Sequence, residues 1–347
     1  MLGILRFCLA SLVIIAHLGD GIHFVEHWGI FAVFGFYLIS GYLITIILNT
    51  TYSFNFSSFA TNRFLRLFPI YYAVVVITLI AMAIIPNPSQ YHNAWAFAGR
   101  PIDVIGNILI FPFEFYDSSF RMVPPSWSVA VELVNYFMLW LFVARSKNLA
   151  IATLLLSAAY HISTFALDMD WTRRYFPFYA ALLPFSLGAC IYFLKDYAKL
   201  LTTKPIKVAT MTALLAWAIN LTVCGAFSGL GQNNFNTFFY INLFSSAALV
   251  YLIANSNLQY TFKKSGKLLG DLAYPMFLLH WVVGFIMSYL MLDGQRRGLL
   301  LVAVSFLPIL VVSYCLSWLA NRWLEPLRNI VRGQATTTKH SIATESS

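Results

Sequence analysis

Residues 1–21 read MLGILRFCLASLVIIAHLGDG, an apolar stretch with Arg6 near one end and His17 near the other. A helix needs about 17 to 25 mostly apolar residues to cross a hydrocarbon core about 30 Å thick, and this stretch is the first of a series. Hydrophobic residues fill 60% of the 347 positions and charged residues only 10%, whereas about a quarter of an average soluble domain is charged. That composition excludes an ordinary soluble fold, and the chain reads as an all-α, polytopic integral membrane helix bundle.

Apolar runs at 4–20, 28–48, 66–85, 124–144, 149–167, 175–194, 206–227, 236–254, 270–292 and 298–320 predict about ten transmembrane helices. Most connectors are short and carry turn and charge signals, as in KDYAKLLTTKPIK (195–207) and SNLQYTFKKSGK (256–267). No internal repeat or linker divides the chain, so residues 1–332 are read as one membrane domain and the polar residues 333–347 as a disordered tail. The first segment has the length of a signal peptide but no A-x-A-like cleavage site follows it, and it is kept as the first helix.

Basic connectors stay in the cytoplasm. With ten helices, Arg100, Arg121, Arg173, Arg174, Arg296 and Arg297 fall on one side, and the rest of the 22 Lys and Arg, from Arg6 to Lys339, fall on the other. Most acids, among them Asp20, Glu26, Asp103, Glu114, Asp117, Asp168, Asp170 and Asp293, lie on the poorly basic side. Both termini are therefore expected in the cytoplasm of an inner or plasma membrane. The net charge of +9 reflects topology and gives no reason to expect nucleic acid. Cys8, Cys190, Cys224 and Cys315 sit in apolar runs without metal-ligand spacing, so neither a disulfide framework nor a metal site is expected.

Arg6 and His17 are eleven positions apart, about three helical turns, so they share one stripe of a helix and are separated by about 16 Å along it. Ionisable groups at membrane depth are costly and mark sites or pathways. His17 suits general base work because imidazole titrates near neutrality. Glu132, in PPSWSVAVELVNYF (124–137), is the one acid deep in an apolar run, and its similar depth from the outer surface makes it the expected orienter of His17. Arg63 and Arg66, in NRFLRLFPIYYAV (62–74), share a helical face at an inner helix end, where paired guanidiniums suit phosphate. His280, in DLAYPMFLLHWVVGF (271–285), is a further intramembrane histidine.

These motifs, in this order, resemble those of the acyltransferase-3 family of integral membrane acyltransferases. Arg6 and His17 match its arginine, ten residues, histidine pattern. FGFYLISGYL (34–43) resembles its second-helix run through Ser40 and Gly41, and NRFLRLFPIYY its Arg-x-x-Arg element through Arg63, Arg66, Pro69, Tyr71 and Tyr72. Trp127, Ser128 and Glu132, then Tyr274, Pro275 and His280, and finally Arg322, Glu325 and Pro326 in NRWLEPLRN (321–329) resemble its later motifs. Some members carry an appended hydrolase-like domain, which the resemblance would have another chain supply here.

The resemblance implies transfer of an acyl group, taken as acetyl, from cytoplasmic acyl-CoA to a hydroxyl of a surface glycan or lipid-linked sugar, with glycan-assembly proteins as possible partners. Acyl-CoA is a co-substrate, and no resident cofactor is implied. His17 and Glu132 are then the catalytic pair, Arg6, Arg63 and Arg66 the donor site, and Ser128, His280 and Tyr72 further candidates. Transfer is either direct or through an acyl-histidine. The outer connector 86–123, with its apolar IDVIGNILIFPFEFY (102–116), is expected to lie on or dip into the membrane and help form the acceptor mouth. The alternative class is a transporter or flippase that uses the same buried charges, although the inverted repeats that would favour it are not visible.

Overall fold

The structure, a computed structural model, describes residues 1–19, 24–195, 203–227, 232–256, 262–294 and 296–345. Asp20 and Lys199 of the charge pattern, and the side chains of Lys204 and Lys339, lie outside the described residues.

Each of the ten predicted segments is a helix. In chain order the helices are α1 (Leu2–Leu18), α2 (Trp28–Ile47), α3 (Phe56–Ile84), α4 (Pro88–Tyr91), α5 (Pro101–Leu109), α6 (Ser126–Leu141), α7 (Lys147–Ala166), α8 (Phe178–Leu194), α9 (Thr203–Ala226), α10 (Gln232–Asn255), α11 (Lys263–Met291) and α12 (Leu299–Glu345). No strand occurs among the described residues. Among the described residues, seven helices are long and apolar enough to span a membrane, and α1 and α8 are shorter apolar helices, which makes this a multi-pass membrane protein. The tenth, α6, has 16 residues and ends in a 3-10 turn at Val143–Arg145, because Glu132, Asn135 and the flanking polar residues shorten its apolar run. The backbone of α12 continues helical to Glu345, into the tail expected to be disordered.

The bundle has an inside and a lipid-facing outside. Helix α11 is the most buried of the long helices and α2 the next, while α3 and α12 are mostly exposed. The exposed positions of α3 include Val76, Leu79, Ile80 and Ile84, and those of α12 Leu307, Val311 and Trp318. Large apolar side chains on an outer face fit a hydrocarbon solvent, where every backbone polar group is already paired inside the helix.

Two glycine contacts set the inner packing. An added Cβ at Gly3 would lie 1.8 Å from the Gly266 carbonyl oxygen and 3.2 Å from the Gly270 Cα, so α1 seats backbone to backbone on the Gly266-x-x-x-Gly270 face of α11. Both helices run the same way from that contact, which brings the far end of α1 against the middle of α11. Between α2 and α8, an added Cβ at Gly41 would lie 2.2 Å from the Phe185 carbonyl oxygen.

Pro275 inside α11 leaves the Asp271 carbonyl without its helical N–H donor. Ser317 of α12 supplies the replacement, its hydroxyl donating to Asp271 O at 2.9 Å. The connector 86–123 folds as α4, a 3-10 turn at Asn93–Trp95, α5 and a second 3-10 turn at Phe111–Glu114. In α5, Asp103, Gly106 and Asn107 point inward while Ile102, Val104, Ile105 and Ile108 are exposed, an amphipathic arrangement suited to lying on a membrane.

Candidate active site

The geometry is built around α11, whose residues Asp271, Tyr274, Phe277 and His280 recur every three positions, rising about 13 Å in all while stepping about 60° around the helix each time. His280 is fully buried, and its Nδ1 lies 2.7 Å from the Phe277 carbonyl oxygen. A carbonyl only accepts, so Nδ1 carries the proton and Nε2 of the neutral ring is an acceptor. That acceptor is 2.9 Å from Nδ1 of His17, so with His280 neutral His17 donates from Nδ1, and the lone pair of its own neutral ring is on Nε2.

The two imidazoles also stack, with centroids 5.0 Å apart, and His17 stacks on Trp281 at 5.3 Å. The position a Cβ would occupy on Gly29 lies 3.6 Å from His17 Nε2, so glycine there keeps side-chain bulk away from that nitrogen. The connector roofs this end of α11. His92 meets the Trp281 ring edge-on at 4.3 Å, and the Arg297 guanidinium covers the same ring at 4.3 Å. His92 was not singled out from the sequence. Its Nδ1 accepts the Ala94 N–H at 3.0 Å, and burial first, then Arg297, Arg121 and His17, push its pKa down to about 3, so it is neutral at physiological pH.

Glu132 is elsewhere, which corrects the expected His17–Glu132 pairing. Its Oε1 accepts from Ser40 Oγ at 2.7 Å and from the Tyr136 hydroxyl, and it faces Arg6 across a narrow cavity also lined by Tyr37, Ser128, Tyr274 and Phe277. Depth along two separate helices was a poor guide, because α6 begins inside the bundle, after the folded connector, and so carries Glu132 to the level of Arg6. Ser128 lines the same cavity, its hydroxyl donating to Pro125 O at 2.9 Å.

Tyr72 is not in the site either. Its hydroxyl donates to Ile108 O at 2.7 Å, and Tyr71 donates to Asn107 O at 2.9 Å, so the pair clamps α5 onto α3. Tyr274, which the sequence motif contained but the candidate set did not, lines both the Arg6–Glu132 cavity and a second one at the end where α1 begins.

That second cavity is bordered by Arg66, Asp271, Asn321 and Arg328. Arg63, whose Nη2 donates to Asn62 Oδ1 at 3.2 Å, lines an apolar groove with Phe59, Phe68 and Tyr136. The three expected donor arginines, from α1 and α3, thus lie toward one end of the bundle but line three separate cavities. The histidine pair sits at the opposite end of α1, and α11 connects them through Tyr274 and Phe277. Among the described residues no group of three or more His, Cys, Asp or Glu is placed to hold a metal.

A half-buried imidazole hydrogen-bonded to a second, fully buried one, in a membrane bundle that gathers arginines near its other end, is an arrangement suited to group transfer. Residues 2–322 match the family Acyl_transf_3, described as an acyltransferase domain, and the chain belongs to that family. It is therefore an acyltransferase, and the transporter or flippase alternative gives way to that class. Comparison with curated proteins and with solved structures returns no match.

Proposed function

We propose that the protein transfers an acyl group, acetyl in the simplest case, from cytoplasmic acyl-CoA to a hydroxyl of a surface glycan or lipid-linked sugar on the other side of an inner or plasma membrane, with both termini cytoplasmic. The observation that carries this reading is the hydrogen-bonded pair of His17 and His280 at the far end of a helix whose near end borders Arg66 and Arg6. The donor's phosphates bind Arg63, Arg66 and Arg6, and its pantetheine arm runs along α11 past Tyr274 and Phe277. The Arg6–Glu132 cavity holds about 30 Å³, room for only a water or two, so the helices part for the arm to pass.

At the reaction centre His17 Nε2 takes the proton of the acceptor hydroxyl as its oxygen bonds to the thioester carbonyl carbon. The tetrahedral intermediate collapses with breakage of the carbon–sulfur bond, and the same proton passes from His17 to the departing thiolate. His280 keeps the His17 lone pair on Nε2 and accepts from the imidazolium while it exists, the task a carboxylate performs in serine hydrolases. Glu132, gripped by Ser40 and Tyr136, is the countercharge that holds Arg6 in the passage, and the connector 86–123 with His92 forms the acceptor mouth, where glycan-assembly proteins deliver their product.

The test uses purified protein in sealed vesicles of known orientation. Acyl-CoA on the cytoplasmic face should label a glycan acceptor confined to the other face, and His17→Ala should abolish labelling in a folded, inserted protein. Product formed only when both substrates share the cytoplasmic compartment removes the vectorial reading, and full activity of His17→Ala removes His17 as the base.

A further inference from the structure

Arg328 entered the sequence analysis only as one of the basic residues of the inner side, yet the fold gives it an environment that topology does not require. It is nine-tenths buried, with 9% of its surface exposed. One edge of its guanidinium is held by Glu325, which also binds Arg332 at 2.8 Å. Its Nε, on the other edge, has no hydrogen-bond partner. The same is true of the buried Nε of Arg63. Arg328 and Arg66 border one cavity from opposite helices.

Asn62 fixes the two helices at this level. It is fully buried, donates from Nδ2 to the Arg328 carbonyl at 3.3 Å and accepts from Arg63 Nη2 at its Oδ1. Lys267 adds a further cation beside Glu325. Against these cations the carboxylates at hand are Glu325 and Asp271, and Asp271 is engaged by Asn321 at 3.3 Å.

Guanidiniums brought together out of water repel one another and leave donors unsatisfied, a cost that a bound oxyanion relieves. Their planar forks match phosphate oxygens two at a time. We propose that the mouth between α3 and α12 is a phosphate-binding site in which Arg328, opposite Arg66 and next to Arg63, clasps the diphosphate of a nucleotide thioester donor. This rests on the acyl-CoA reading above and assigns the donor site a second wall, from the last helix. A phosphodiester lipid headgroup has the same oxyanion chemistry, and the experiment separates the two sources.

The measurement is equilibrium binding of CoA and of S-acetyl-pantetheine, which lacks the phosphates, to purified wild type, Arg328→Ala and Arg328→Lys in neutral detergent. Removing a charge-assisted hydrogen bond weakens binding roughly tenfold to a hundredfold. Arg328→Ala should show that loss for CoA, Arg328→Lys an intermediate loss, and S-acetyl-pantetheine none, while inorganic pyrophosphate competes with CoA on wild type only. Monodisperse variants with unchanged thermal midpoints exclude misfolding, and Lys keeps a cation against Glu325 should Ala unfold the mouth.

Equal weakening of both ligands makes Arg328 a packing residue and overturns the proposal. Unchanged CoA affinity, with thermal stabilisation by vesicles containing phosphatidylglycerol lost in the variant, assigns the mouth to lipid and overturns it as well. A wild type that binds neither ligand overturns the acyl-CoA reading itself.

Discussion

His280→Ala is the sharpest perturbation of the catalytic pair, because it leaves His17, the donor arginines and the connector in place. It removes the acceptor 2.9 Å from His17 Nδ1 and the donor to Phe277 O. When His17 acts as base its Nδ1–H bond becomes charge-assisted, and hydrogen bonds to charged groups contribute about 1.5 to 3 kcal/mol. At about 1.36 kcal/mol per tenfold in rate, kcat should fall roughly 10- to 150-fold from that loss alone. A free choice of tautomer lowers it further, since a His17 protonated on Nε2 has no lone pair at the reacting atom. The comparable loss of the orienting group in a serine protease costs about 10⁴-fold, which sets the upper bound.

His280→Gln returns an acceptor near the position of Nε2 and should recover a large part of the rate, while the Phe277 carbonyl keeps only its helical N–H donor. The assay is steady-state transfer from radiolabelled acetyl-CoA, with kcat and KM read separately and donor binding measured alone. KM for the donor should change little, because the phosphates sit at the other end of α11. Folded His280→Ala with kcat within twofold of wild type, or Gln no better than Ala, would refute the role of the pair.

Two further perturbations test the surrounding fold. Glu114 caps the start of α8, its Oε1 accepting the Phe178 N–H at 2.7 Å, and burial pushes its carboxyl up to about 7 from 4.5 although that hydrogen bond opposes the shift. The folded state therefore holds this proton more tightly than the unfolded one, so its contribution to stability is present below pH 4.5 and lost as pH rises to about 7; thermal midpoints of wild type and Glu114→Gln should diverge across that window, and parallel profiles would disprove it. Gly3→Ala drives a Cβ into the Gly266 carbonyl, 1.8 Å away, and should destabilise by about 1 to 3 kcal/mol or more, read as a lowered thermal midpoint and lost activity, whereas an unchanged midpoint would mean that α1 and α11 are not in backbone contact.

The apolar helices and their positions along the chain were legible in the sequence because each is a property of one segment. Bilayer thickness sets the length of an apolar run, and the 3.6-residue turn aligns positions eleven apart on a single helix.

What tertiary structure decided is every relation between helices. His17 and His280 are 263 positions apart, and nothing periodic in either segment names the other. They meet because Gly3 lets α1 lie backbone to backbone on Gly266 and Gly270, which sets the register in which the two parallel helices run. Glu132 was assigned to His17 from depth alone, and Tyr72 to the site from its motif. The folded connector instead starts α6 deep in the bundle, bringing Glu132 to Arg6, and it occupies the Tyr72 hydroxyl with α5. The role proposed for Arg328 rests on its burial and on the cavity it borders with Arg66 of α3. Side-chain depth and face are local quantities, whereas partners depend on which close-packed surfaces meet, and only the assembled bundle specifies those.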